Sequence, residues 1–235
     1  MSSTEAPSTR DRILRVAADL LATDGRDALS TRAVSAAAGV QAPTLYRLFG
    51  DKEGLLDAVA SYGFESYLAD KNAMGHTDDP VADLRRGWDL HVEFGVARPA
   101  FYELMYSRNR LSPAAREAEA ILRHMVGRVA EAGRLAMSVE RAARLVHSSG
   151  MGVVFTLNTT PPEQRDPQLS EVTREMVLRT ITTDAAPSAP GGTPALASAL
   201  VETLRAQPPE SLSPAEHALL TEWLTRLADT AALRR

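Results

Sequence analysis

STRAVSAAAGVQAPTLYRLF, residues 30–49, decides how this chain folds. Two runs with apolar residues spaced by three and four are joined at Gly39, a residue that takes positive φ without steric cost. Ser30 suits an N-cap for the first run, which ends at Ala38, and the second runs from about Ala42 to Phe49. Two short helices around a tight turn can lay one helix in the DNA major groove while the other crosses the backbone. Leu45 and Phe49 are four apart and point inward, so the opposite side of the second helix is free. Many proteins that never touch DNA also join two short helices by glycine, so spacing alone does not assign a role.

The same periodicity continues in both directions. Toward the N-terminus, Ser8 and Asp11 form a carboxylate variant of the capping box for a helix from about Thr9 to Thr23, with Ile13, Ala17, Leu20 and Leu21 as its stripe and Gly25 as a left-handed stop. Toward the C-terminus, Asp51 caps a helix of roughly 18 residues carrying Leu55, Leu56, Val59, Tyr62 and Phe64, and MGHTDD breaks it. Asp79 and Pro80 start a helix with Val81, Leu84, Trp88, His91, Val92 and Gly95 on one side. A short helix around Phe101–Met105 follows. Ser112 and Pro113 then open one striped by Ala118, Ile121, Leu122, Met125, Val126 and Val129, with Gly133 near its end. Ser138 is expected to cap a helix apolar or small on nearly every side up to Leu157, the pattern of a helix buried all round. Leu169, Val172, Met176, Val177 and Ile181 mark another helix, TDAAPSAPGGTP reads as a flexible linker, and two helices close the chain around 195–207 and 214–233. The predicted fold is all-α: a helix-turn-helix domain over 1–52, a helical ligand-binding and dimerisation domain over 53–183, and a linker plus helical extension over 184–235.

Composition removes whole classes of function. At 235 residues the chain holds one or two domains, and 44% hydrophobic with 24% charged residues describes a globular chain. It has no cysteine, so disulfide scaffolds, iron–sulfur centres, thiolate zinc sites and cysteine nucleophiles are excluded. The first thirty residues carry acids inside their apolar part, unlike a signal peptide, and no segment reaches about 18 consecutive apolar residues. A cytoplasmic location without membrane association is expected. The five histidines, His76, His91, His124, His147 and His217, lack metal-ligand spacing; no nucleophile elbow surrounds Ser148 or Ser149, and Gly150 and Gly152 lack a third glycine to cradle phosphate. No enzyme and no cofactor is expected.

The longer run TRDRILRVAADLLATDGRDALSTRAVSAAAGVQAPTLYRLFGDKEGLL, residues 9–56, resembles the N-terminal domain of the tetracycline-repressor (TetR) family of bacterial transcriptional regulators nearly position for position. Ile13 and Ala17, Gly25, Ser30-Thr31, Ala38-Gly39-Val40, Thr44-Leu45-Tyr46-Arg47, Phe49 and Lys52-Glu53 carry the match. The free side of the second short helix then offers Gln41, Ala42, Thr44, Tyr46 and Arg47 to a duplex. Arg47 can fork to guanine or phosphate, Thr44 can bond or touch a thymine methyl, and Gln41 can read adenine. The resemblance implies that Thr31, Tyr46 and Lys52 hold phosphates. Gln41 stands where the family usually has a serine or threonine cap, so a looser helix start is expected. Six arginines against five acids leave residues 1–50 at only +1, so affinity would rest on placed contacts more than on a broad positive field.

What the resemblance implies for the remainder is a switch. A small-molecule effector in a helical body would change the separation of two heads in a homodimer, heads that must lie about 34 Å apart to enter successive major grooves of a palindromic operator. Trp88, His91, Phe94, Phe101, Tyr102, Met105, Met125, His147, Met151 and Phe155 are the expected lining of an apolar site, although a helical core wants bulk at the same positions. The helices over 139–157 and 169–181 would form a dimeric four-helix interface. The alternative reading is a helical interaction protein of the same fold that has lost operator binding.

Overall fold

In a computed structural model the described residues are 8–106, 112–183, 192–209 and 211–229, and they form eleven α-helices with no strand. They are α1 (Thr9–Asp24), α2 (Thr31–Ala38), α3 (Ala42–Phe49), α4 (Lys52–Met74), α5 (Pro80–Ala97), α6 (Pro99–Tyr106), α7 (Pro113–Glu131), α8 (Val139–Thr159), α9 (Leu169–Ile181), α10 (Thr193–Ala206) and α11 (Pro214–Asp229). The chain divides into two compact units, residues 1–74 with 93–118, and residues 75–92 with 119–235.

The first unit is built on α1. Ser8 and Asp11 make the capping box, the Ser8 hydroxyl accepting from the Asp11 amide at 3.1 Å while the Asp11 carboxylate accepts from the Ser8 amide at 3.3 Å. Ile13, Leu14, Ala17, Ala18 and Leu21 are buried. Leu20 is half-buried, because the inward stripe turns toward Leu14 and Ala18 rather than toward it. Gly25 takes φ 76° with ψ −173°, an extended glycine-only conformation rather than the expected left-handed helical stop, and a short 3-10 turn over Arg26–Ala28 follows directly. Gly39 does take the left-handed helical conformation, at φ 63° and ψ 38°, and ends α2 with its amide on the carbonyls of Ala36 and Ser35. Leu29, Val34, Leu45, Leu55, Leu56 and Val59 complete the core. Truncating one such wholly buried leucine costs about 2–5 kcal/mol.

α4 is longer than the expected 18 residues, reaching 23, since nothing before Gly75 breaks it. It packs against α1, α3 and α6. At Gly63 the ring of Phe101 on α6 lies so close that an added Cβ would sit 2.1 Å from Phe101 Cδ1, so glycine there permits the crossing of α4 and α6.

In the second unit α8 packs on α9 and α10 on α11. α8 is not buried all round: Val139, Ala142, Val146, Gly150, Val153 and Val154 face inward, whereas Arg144, Ser148, Gly152 and Thr156 are exposed. Ser148 and Gly152 on that exposed face are small rather than buried. Ser138 does not cap α8 with its own side chain. Its amide and hydroxyl both donate to the Asp229 carboxylate at the end of α11, at 3.0 and 2.9 Å. A charged network ties α5 to α9, with Arg85 forking onto Glu175 at 3.0 and 3.1 Å and Arg174 bonding Glu175 and Asp89. Most of the expected linker, TDAAPSAPGGTP, lies outside the described residues, as does the end of the expected last helix beyond Asp229. No helix among the described residues is long and apolar enough to cross a membrane.

Candidate nucleic-acid interface

The turn between α2 and α3 is fixed from both sides. Val40 N–H donates to the Ser35 carbonyl at 3.0 Å and Thr44 N–H to the Gln41 carbonyl at 2.9 Å. Gln41 sits at the N-cap in extended conformation with no side-chain cap bond, as its chemistry predicts, and Pro43 in the first turn of α3 supplies a preset φ. Leu45 is wholly buried and anchors α3. Gln41, Ala42, Tyr46 and Arg47 are exposed and Thr44 half-buried, so the candidates on α3 share its outer side. Tyr46 keeps 48% of its surface in water.

Two further parts flank α3. Thr31, half-buried, is the first residue of α2, and Ser30 caps that helix by accepting from the Ala33 amide at 3.1 Å. Lys52, exposed, is the first residue of α4, next to Asp51, whose carboxylate caps α4 by accepting from the Gly54 amide at 2.7 Å. A side chain at position 54 would place its Cβ 2.0 Å from the Phe49 carbonyl oxygen. Gly54 therefore lets the end of α3 and the start of α4 approach closely, which brings Lys52 near the C-terminal end of α3. Sequence reasoning missed Arg10, whose guanidinium lies over the Phe49 ring, 5.6 Å from its centroid. No local spacing joins a first-turn arginine of α1 to the end of α3.

The ten residues expected around an effector fall in both units. In the first, Phe94 meets Phe64 edge-on at 6.2 Å and Tyr67 at 5.1 Å, while Phe64 and Tyr67 lie 4.9 Å apart. Tyr67 was not singled out from the sequence, although its spacing of three from Phe64 on α4 places both on one side. Tyr102 stacks obliquely on Tyr106 at 4.7 Å, and Phe101 and Met105 are buried beside it in sequence. Burial pushes the phenols of Tyr67 and Tyr102 well above the ordinary tyrosine range.

In the second unit Trp88 and His91 both pack toward Gly150 on α8, where an added Cβ would meet His91 Cδ2 at 3.4 Å and the Trp88 ring at 3.8 Å. The Trp88 indole N–H donates to the Ser170 hydroxyl at 3.1 Å, linking α5 to α9. Met125 is buried, and Met151 and Phe155 are half-buried. His147 Nε2 lies 3.8 Å from a Glu119 oxygen; burial lowers its pKa below the usual histidine value, and the Glu119 charge opposes that only in part.

Residues 13–59 match the family described as bacterial regulatory proteins, tetR family. Among solved structures, the chain is similar to a TetR-family transcriptional regulator from Thermus thermophilus, at 26% identity and TM-score 0.53, with 74% of this chain and 97% of that one covered. It is also similar to a tetR-family regulatory protein from Rhodococcus (22% identity, TM-score 0.57, 76% and 100% covered). A fatty acid degradation regulator from Bacillus halodurans is comparable (17% identity, TM-score 0.59, 74% and 97% covered). The latter two likenesses carry the fold alone. No curated protein matches the chain.

Proposed function

We propose, from the premise that through residues 13–59 the chain belongs to the tetR family of bacterial regulatory proteins, that it is a repressor which reads a palindromic operator as a homodimer and is switched by a small, largely apolar molecule. The observation that supports DNA reading best is the two-sidedness of α3: Leu45 wholly buried, Tyr46 and Arg47 turned to water. α3 enters the major groove, where Arg47, Thr44 and Gln41 meet base edges, while Thr31, Tyr46 and Lys52 hold phosphates. The exposed side of α8, with Ser148 and Gly152, and the exposed Val172 and Met176 of α9 support a contact between two copies through those helices. The aromatic group of Phe64, Tyr67 and Phe94 and the Trp88–His91 pair are the candidates for sensing the apolar molecule.

Selection of genomic fragments by the purified protein tests this reading, with an enriched palindrome as the expected result. Arg47→Ala then weakens binding to that palindrome by about 1–3 kcal/mol if it reads a base, or lowers the salt slope by about one if it holds a phosphate. Tyr46→Ala weakens it uniformly. Unchanged affinity and salt slope in both variants would refute the assignment of α3.

A further inference from the structure

The helical hairpin at the C-terminal end presents an organised apolar face. α10 and α11 meet through Ala197, Val201, Leu224 and Ala228, with Leu204 and Leu220 packed beside them. The Ser198 hydroxyl donates to the Met137 carbonyl, and the Asp229 carboxylate accepts from Ser138. The start of α10 and the end of α11 thus meet at neighbouring residues, so the two helices run antiparallel. Leu196 and Leu200 each precede an inward residue of α10 by one, and Leu219, Trp223 and Leu227 each precede an inward residue of α11 by one. The local two-fold relating antiparallel helices is perpendicular to the plane of their axes, so equal offsets from the seam fall on the same side. All five therefore share one face, and they keep 54, 43, 44, 53 and 46% of their surface in water, respectively.

We infer that this face is buried against the same face of a second copy of the chain. The five residues leave on the order of 500 Å² in water, within the about 300–600 Å² of the largest patch on a typical soluble domain, a patch that is often functional. Buried between two copies, a face of that size lies at the low end of specific interfaces, at about 1,000 Å² in total. The rim is self-complementary, because Glu222 and Arg226 pair one turn apart on α11 and an antiparallel copy sets each opposite the other's charge. Arg205 on α10 holds Glu140 at the start of α8 at 2.7 Å, so the hairpin is fixed to its unit and offers a preformed surface. Leu200 and Trp223 flank the Val201–Leu224 layer and mark the middle of the face. The inference depends neither on DNA reading nor on the α8–α9 contact proposed above.

The chain has no cysteine, which makes single-cysteine cross-linking clean. Oxidation of Leu200→Cys and Trp223→Cys at micromolar protein is expected to give covalent pairs, while Asp19→Cys on the outer side of α1 stays single. In sedimentation, Leu200→Glu and Trp223→Glu are expected to weaken association at least about tenfold with unchanged helicity. Met176→Glu on α9, measured alongside, reports the other contact. If Met176→Glu alone dissociates the chain, this inference fails and the α8–α9 reading stands; if only the hairpin variants do, the reverse holds. Covalent pairs no more abundant than with Asp19→Cys, together with wild-type sedimentation of the two glutamate variants, overturn the inference. They do so whether the face is bare or covered by another protein.

Discussion

Asp83 ties residues 75–79 to α7, and its charge should be visible in the acid stability of the protein. The side chain is 1% exposed. Its carboxylate accepts from the Thr77 hydroxyl at 2.6 Å and the Thr77 amide at 3.0 Å, and it pairs with Arg86 at 2.6 Å and Arg128 at 2.5 Å. Burial alone would raise its pKa, but the Thr77 bonds, the Arg128 bond and the Arg86 charge overcome that and hold it at about 2. The folded value lies below the unfolded one, so the carboxylate stabilises the fold above the ordinary range near 3.8, and the contribution is lost as pH falls toward 2. A shift of that size corresponds to about 2 kcal/mol. Asp83→Asn keeps the shape but leaves Arg128 facing an amide, so urea unfolding at pH 7 and fixed protein concentration should show a loss of about 2–3 kcal/mol. The separation between wild type and variant should shrink from about pH 5 to about pH 2.5, because wild type surrenders what the variant already lacks. A constant separation across that range would refute the assignment.

Two further outcomes follow from packing in the first unit. Gly63→Ala drives a Cβ into the Phe101 ring and should cost about 1–3 kcal/mol in thermal unfolding; Phe101→Leu should relieve part of that cost, and additive losses would contradict the contact. Ser35 is buried in α2 and its hydroxyl has no hydrogen-bond partner. Ser35→Ala should therefore leave stability unchanged or raise it by up to about 1 kcal/mol, whereas a fall in melting temperature would reveal a bond that the geometry does not show.

The N-terminal unit was legible in the sequence because each signal there is local. Ser8 with Asp11, Ser30 with Gly39 and the Leu45–Phe49 spacing need only neighbours close in the chain, and α2 and α3 begin and end where those residues place them. Gly25 was half-legible: glycine announces a positive φ, but its ψ is set by the 3-10 turn that follows. Distant contacts were not legible. Arg10 reaches Phe49, and Trp88 reaches both Gly150 and Ser170, only after several helices have packed. The small-residue side of α8 misled for a related reason, since alanine, serine and glycine permit close approach without demanding it within the same chain. Nothing in the periodicity of Leu196, Leu200 and Trp223 told that their side faces outward, because a stripe one residue wide of the seam has the same spacing as the seam itself.

Ser138 shows how a correct local rule can assign the wrong atom. A serine before Val139 meets every requirement for an N-cap, and its backbone is extended as a cap requires, at φ −64° and ψ 149°. A cap hydroxyl, however, must face the amides of its own helix, and this one faces Asp229, 91 residues away, at 2.9 Å. The carboxylate is the better partner for a helix start. It accepts the Ser138 amide directly, and its charge meets the positive end of the α8 dipole, where a neutral hydroxyl would offer a weaker acceptor. The start of α8 therefore depends on α11 being docked, and the hairpin on α8. Asp229→Ala should cost about 1–2 kcal/mol, the range for losing a helix cap, and should speed hydrogen exchange of the Ser138 amide and of the α11 amides together. Faster exchange at Ser138 alone, with α11 unaffected, would show that the carboxylate caps the helix without holding the hairpin.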